Sequence, residues 1–147
     1  MITIAELMTR TPYTLLRSNT LADARKLMAE HDIRHVPVVD TDDKLLGLIT
    51  QRDILAAQDS SLQVNPNSDA YTLETPLNLA MRKNVLTVSP RAGLRESALV
   101  MQKRKVGCLP VVSNHILVGI ITDSDFVSVA INLLELQQEV EPVESDT

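Results

Sequence analysis

The chain has 147 residues, 44% of them apolar and 22% charged, and a formal net charge of -5, a composition that fits a soluble globular protein and excludes a disordered or fibrous one. Tyr13, Tyr71 and Phe126 are its whole aromatic complement. With so few stacking platforms and an excess of acid, the chain is not expected to bind nucleic acid, whose bases are stacked on aromatics and whose phosphates are held by Lys and Arg. Cys108 stands alone, so no intrachain disulfide forms, as in a reducing compartment. The first residues lack the basic and apolar regions of a signal peptide. No apolar run approaches the roughly 20 residues that cross a bilayer. The expected location is therefore the cytoplasm, with no membrane insertion.

In chain order, Thr3 and Glu6 have capping-box spacing and predict a short helical turn. Residues 13–16 are β-branched and apolar and predict an extended segment. Leu21, Ala24, Leu27 and Met28 form one face of a helix over 20–30. Two strands follow as a hairpin, 36–39 and 45–49, around the polar turn 40–44. Thr50 then stands as the N-cap of a closing helix. Residues 58–75 are polar, with Asn65, Pro66 and Asn67 marking turns, and predict a linker or surface loop. The same order then begins again. Thr75-Pro76 supplies a cap and a first-turn proline, 85–88 an extended segment, and Leu94, Ala98 and Met101 a helical face. The strands 109–112 and 116–121 follow, with Thr122 as the last cap. The final helix is expected to run on through Ile131, Leu133, Leu134 and Leu136, and the acidic tail beyond it to fray.

This recurrence is a true internal repeat. Met8, Thr14, Leu21, Met28, Pro37, Val38 and Val39 return 73 positions later as Met81, Thr87, Leu94, Met101, Pro110, Val111 and Val112. Gly47, Ile49, Thr50 and Asp53 return 72 positions later as Gly119, Ile121, Thr122 and Asp125. The one-residue change falls in a polar turn, where it costs least. A unit of about 55 residues leaves too much of its surface wet to be stable alone. The expected fold is therefore α/β (α+β): two β-α-β-β-α repeats packed sheet to sheet about a pseudo-twofold axis, with two equivalent clefts. The boundaries are 1–57 for the first repeat, 58–75 for the linker, 76–136 for the second repeat with its extended helix, and 137–147 for the tail.

The chemistry concentrates in Thr50-Gln51-Arg52-Asp53 and Thr122-Asp123-Ser124-Asp125. Each sets a hydroxyl at a helix start and a carboxylate one turn later on the same side. Such a pair is a capping box. It is equally a carboxylate able to take both hydroxyls of a ribose beside a helix terminus that favours phosphate. The two readings are compatible. Cys108, ahead of an apolar strand, reads as an inert buried thiol. His31, His35 and His115 lack metal-ligand spacing. With no nucleophile–base arrangement, paired acids or glycine-rich phosphate loop in view, the chain is not expected to be an enzyme. The run Lys103-Arg104-Lys105 reads as a solvated helix end that complements the dipole.

A Pro-Val-Val strand, a turn, an apolar Gly-x-Ile-Thr strand and Thr-x-x-Asp, twice in one chain, resemble a cystathionine-β-synthase (CBS) domain pair, the Bateman module, here as a stand-alone protein. Val106-Gly107-Cys108-Leu109-Pro110-Val111-Val112 is similar to a common form of the second motif. The resemblance covers about 3–57 and 76–134. It implies an adenosine-type ligand (AMP, ADP, ATP or S-adenosylmethionine) in each cleft, with its ribose on Asp53 or Asp125 beside Thr50 or Thr122. It implies walls for the base near Thr14, Ile33, His35 and Pro37 in the first copy, and near Thr87, Val106, Cys108 and Pro110 in the second. Where phosphate would sit, the first copy offers Arg34, His35 and Arg52. The second has Gly107, Cys108 and Ser124, and Asp123 there opposes an anion. The expectation is a regulatory nucleotide sensor with unequal clefts, the Asp53 side favouring phosphorylated ligands. The family also implies a homodimer of CBS pairs and, with no attached effector domain, a separate target protein. The alternative is a dimerisation or docking scaffold with vestigial clefts.

Overall fold

The structure is a computed structural model that describes residues 1–63 and 72–138. The turn expected at residues 65–67 and the tail from 139 onward lie outside the described residues. No helix among the described residues is long and apolar enough to cross a membrane.

Among the described residues twelve elements follow in order: α1 (Ile4–Leu7), β1 (Thr9–Arg10), β2 (Leu15–Leu16), α2 (Leu21–His31), β3 (His35–Val39), β4 (Leu45–Thr50), α3 (Gln51–Gln63), α4 (Leu77–Ala80), α5 (Leu94–Arg104), β5 (Cys108–Ser113), β6 (Ile116–Thr122) and α6 (Asp123–Gln138). Thr20 starts α2 through a capping box: its amide donates to Asp23 Oδ2 at 2.9 Å, and the Asp23 amide donates to Thr20 Oγ1 at 3.2 Å. The equivalent helices α2 and α5 stop on a left-handed residue at the same place in the repeat, Asp32 (φ 53°) and Lys105 (φ 55°). The apolar face of α2 buries Leu21, Ala24 and Met28, as its periodicity predicts. On α5 the buried pair is Ser97 and Met101, with Ala98 only half-buried. The Ser97 hydroxyl satisfies itself on the Gly93 carbonyl at 2.9 Å.

The two hairpins form as expected: β3 pairs antiparallel with β4, and β5 with β6. The sheets are ordered β2-β3-β4 and β1-β6-β5. β2 runs parallel to β3, while its counterpart in the second repeat contributes only a single parallel bridge, Val88 to Val111. β1 belongs to the other repeat's sheet, with Thr9 opposite Ile120 and Arg10 opposite Gly119 on β6. Arg82 mirrors this by bridging Leu48 on β4.

The opening segment of each repeat therefore completes the other repeat's core. Leu77 of α4 is buried with Leu21, Val36, Val38, Ile49 and Ile54, whereas Ile4 and Met8 are buried with Met101, Leu109, Val111 and Ile121. This exchange also explains why two expected side-chain caps are missing. Thr3 makes no cap bond, and the N-cap of α4 is Pro76 rather than Thr75. The first amides of α1 donate to the carbonyls of Ala92 and Pro90, and those of α4 to the carbonyls of Asn19 and Arg17. Main chain from the other repeat satisfies the orphan donors that a hydroxyl would otherwise take. The described ends of the expected linker also carry regular structure and main-chain bonds. Residues 58–63 continue α3, and the carbonyls of Leu73 and Thr75 accept from the first amides of α2.

The sheets meet through a third buried cluster, Leu48, Cys108 and Ile120, with Val85 against it. At the hairpin ends, the Leu117 amide donates to the Asp43 carbonyl at 2.9 Å. The result is the sheet-to-sheet pair of repeats that the sequence implies.

Candidate functional site

Arg34 and Gly107 hold equivalent places immediately before β3 and β5. Their carbonyls accept from the first amides of α3 and α6: Gln51 N–H to Arg34 O and Asp123 N–H to Gly107 O, both at 2.9 Å. A Cβ on Gly107 would stand 2.9 Å from His35 Nε2, so these two strand entries pass side by side. Over them opens a cleft of about 760 Å³ lined by both repeats.

The first repeat contributes Arg34, His35, Thr50 and Arg52, together with the apolar Leu48 and Leu55. The second contributes Arg82 and Asn84, the apolar Val85 and Leu86, then Arg104, Lys105, Val106, Gly107 and Cys108, and finally Asp123. Five cations thus share one cleft on a chain whose net charge is -5. Arg34 leans on Asp123 at 3.4 Å, and both side chains are more than half exposed. Arg52, Arg104 and Lys105 have no ion-pair partner among the described residues. The repeat arithmetic sharpens the asymmetry. The residues equivalent to Arg34, Arg52, Arg82, Arg104 and Lys105 are Gly107, Ser124, Thr9, His31 and Asp32. Not one is a fixed cation, and where Leu86 and Arg104 have their counterparts, Tyr13 and His31 stack with ring centroids 3.8 Å apart.

The Thr50–Asp53 segment forms the full reciprocal box, whereas at Thr122–Asp125 both bonds run from the threonine to the carboxylate. The Thr50 amide donates to Asp53 Oδ2 at 3.1 Å, and the Asp53 amide to Thr50 Oγ1 at 3.2 Å. At α6, the Thr122 amide donates to Asp125 Oδ2 at 2.8 Å and the Thr122 hydroxyl reaches the same oxygen at 3.3 Å. Asp53 has one partner more. Arg82 forks onto it, Nε to Oδ1 and Oδ2 at 3.2 and 3.3 Å and Nη2 to Oδ1 at 2.9 Å. The carboxylate is held well out of solvent, at 18% exposure, beneath a guanidinium that is 61% exposed. That bond and the adjacent charge hold Arg82 even more firmly protonated than usual.

Of the residues expected at a ligand site, Arg34, His35, Thr50, Arg52, Val106 and Cys108 are gathered in this cleft. Asp53 lies behind Arg82. Pro37 and Pro110 are fully buried within their strands, so only main chain is available there. Ile33 packs on the first core, and Thr14 is half-buried ahead of β2. Thr87 lines a smaller pocket of about 400 Å³ near the hairpin ends, with Lys44, Lys83 and His115. Thr122, Ser124 and Asp125 lie at the start of α6, outside the cationic cleft.

The structure adds to the sequence reading at three places. Arg104 and Lys105, expected as a solvated helix end and exposed as one, also line the cleft because α5 stops on the left-handed Lys105. Asp123 shares a cleft with Arg34 and Arg52 rather than opposing an anion in a separate one. Arg82 was missed altogether. Its place in the repeat, just after Met81, carried the signal, but only the exchange of opening segments brings it to Asp53.

Burial sets the titration of two lining groups. It pushes the Cys108 thiol up to about 12, with Asp123 adding to the shift, so the sulfur stays protonated and unreactive. It also holds His35 below its ordinary range, outweighing the opposite pull of Asp123. Among the described residues no group of three or more His, Cys, Asp or Glu could hold a metal ion.

Comparison with known proteins gives a consistent result. The family model described as "CBS domain" matches residues 4–60 and 77–132. A CBS domain-containing protein of Dictyostelium discoideum is 32% identical over 137 residues, covering 91% of this chain and 94% of its own. A Vibrio cholerae crystal structure, provisionally assigned as the acetoin utilization protein AcuB, is 59% identical with a TM-score of 0.84, covering 94% of this chain and 98% of that one. A CBS domain pair crystallised with 5'-methylthioadenosine and S-adenosyl-L-methionine is 25% identical with a TM-score of 0.76, covering 90% and 98% of the two chains.

Proposed function

The chain belongs to the CBS domain family, and from that premise we propose that it is a non-catalytic regulatory module that binds a phosphorylated adenosine ligand in the Arg34–Arg82–Arg104 cleft and signals to a separate protein. The observation that carries this reading is the set of five cations drawn from both repeats into one cleft, each without a cationic counterpart at the equivalent position of the other repeat. Anions are held where Arg forks and Lys charges converge beside a helix start. AMP, ADP and ATP meet that requirement. The neutral and acidic set around Asp125 suits an adenosine compound without phosphate, such as S-adenosylmethionine. The relative that holds methylthioadenosine and S-adenosylmethionine supports adenosine as the common moiety.

In the proposed pose Asp53 takes the ribose hydroxyls and Thr50 sits beside it. Leu48, Val85 and Val106 supply apolar surface for the base, and Arg34, Arg52, Arg104 and Lys105 face the phosphates. The setting proposed is the cytoplasm, and the partner is to be sought first among acetoin-utilization proteins, given the provisional assignment of the Vibrio relative.

Nucleotide-induced thermal stabilisation tests the reading, since a ligand at 100 times its Kd adds about 2.7 kcal/mol. AMP and ATP are expected to raise Tm, Asp53→Ala to abolish most of the shift, and Asp125→Ala to leave most of it. Equal losses in the two variants would remove the inequality of the clefts. No shift with any adenosine compound would leave the docking scaffold as the better reading. That second reading draws on α6, where no residue is buried and Val127, Ile131, Leu133, Leu134 and Leu136 are exposed.

A further inference from the structure

We propose that Arg82 is a latch on Asp53 that makes this cleft discriminate between phosphorylated and bare nucleosides: the guanidinium covers the ribose-binding carboxylate until a phosphate draws it away. The inference rests on the reading that Asp53 receives the ribose.

Both oxygens of Asp53 are committed, Oδ1 to two nitrogens of Arg82 and Oδ2 to Arg82 Nε and the Thr50 amide. A ribose diol needs those oxygens, so it competes with the fork directly. The main chain of Arg82 is pinned by reciprocal 2.9 Å hydrogen bonds with Leu48. It also sits so close to β4 that a Cβ on Gly47 would come within 2.6 Å of the Arg82 carbonyl. Movement is therefore confined to the long, 61% exposed side chain, which already lines the cleft that Asp53 does not.

The energetic consequence depends on what else enters. A bare nucleoside that displaces Arg82 leaves its charge unpaired in a cleft that holds four other cations, against one anion, Asp123, already engaged by Arg34. A phosphate gives the released guanidinium a bidentate partner in place of the lost carboxylate. Ribose recognition and phosphate recognition are thereby coupled through one side chain, and such coupling is reciprocal. The other repeat has no latch. Thr9 occupies the position equivalent to Arg82, and Oδ1 of Asp125 has no partner among the described residues.

Calorimetric titration of adenosine and AMP, in an Asp125→Ala background that silences the other carboxylate, separates the possibilities. With Arg82 intact, AMP is expected to bind much more tightly than adenosine. Arg82→Thr, which copies the other repeat, is expected to tighten adenosine and weaken AMP, so that their affinity ratio falls about tenfold or more. Thr9→Arg, made in the Asp53→Ala background, is expected to weaken adenosine at Asp125, and it keeps the idea testable should Arg82→Thr fold poorly. If Arg82→Thr weakens both ligands equally, or leaves adenosine unchanged while AMP falls, the latch is overturned and ribose binding by Asp53 stands. If Asp53→Ala leaves both affinities intact, the underlying reading fails and the latch falls with it.

Discussion

At the residue scale, Asp53 and Asp125 occupy the same position of one repeat and meet different neighbours. Each accepts from the amide of the threonine three residues before it, as the local spacing dictates. Only Asp53 also meets an arginine, because residue 82 is Arg where residue 9 is Thr. His35 shows a comparable dependence on context. Burial lowers its pKa most, Arg34 adds to that, and Asp123 and Asp53 pull the other way. An unfolded chain takes up a proton on this imidazole near its ordinary pKa of about 6.5, while the folded chain resists it. The unfolded state then binds more protons, so the contribution of His35 to stability is whole above that pH and lost as pH falls through it. Melting curves from about pH 7.5 to about pH 5.5 are expected to show Tm declining toward acid, with a shallower decline in His35→Gln. An unchanged slope in that variant would assign the acid loss to other groups.

At the element scale, the packing unit and the repeating unit of sequence are different sets of residues. α2 was legible because its apolar spacing and the Thr20–Asp23 box are local. The caps of α1 and α4 were not, since their amides are satisfied by carbonyls of the other repeat. The crossing requires glycine on the strand beneath. A Cβ on Gly47 would meet the Arg82 carbonyl at 2.6 Å and Met81 Sδ at 2.7 Å, while one on Gly119 would meet Met8 Sδ at 2.5 Å and the Thr9 carbonyl at 3.0 Å. Main chain yields less readily than the end of a methionine. Gly47→Ala is therefore expected to cost about 1–3 kcal/mol, the usual range for overpacking, and Gly119→Ala less. Urea denaturation midpoints of the two variants check the order, and a larger loss at Gly119 would refute it.

At the scale of the whole molecule, the exchanged segments tie the repeats into one folding unit with a shared cleft. The same architecture leaves α6 on the outside. Val127, Ile131 and Leu134 follow one another at helical spacing on it, each about half exposed. An apolar stripe of this kind is a usual mark of a partner surface, and we expect it to pair two copies of the chain. Light scattering is expected to return twice the mass of a single chain, and Leu134→Glu to return the single-chain mass. A monomeric unmodified protein would show that these side chains do not pair copies.

The repeat, the two hairpins and the two Thr-x-x-Asp pairs could be determined from sequence alone, because each rests on spacing within a few residues or on one period of 72 or 73. Asp53 and Thr50 were singled out in that way, while Arg34 and Arg52 entered only through the resemblance to the family. The tertiary structure alone decided which sheet receives each opening segment, that Arg104, Lys105 and Asp123 share a cleft with Arg34, and that Arg82 covers Asp53. Those outcomes depend on contacts between residues 29 to 111 positions apart, and no local pattern encodes which of two equivalent partners a repeated segment will choose.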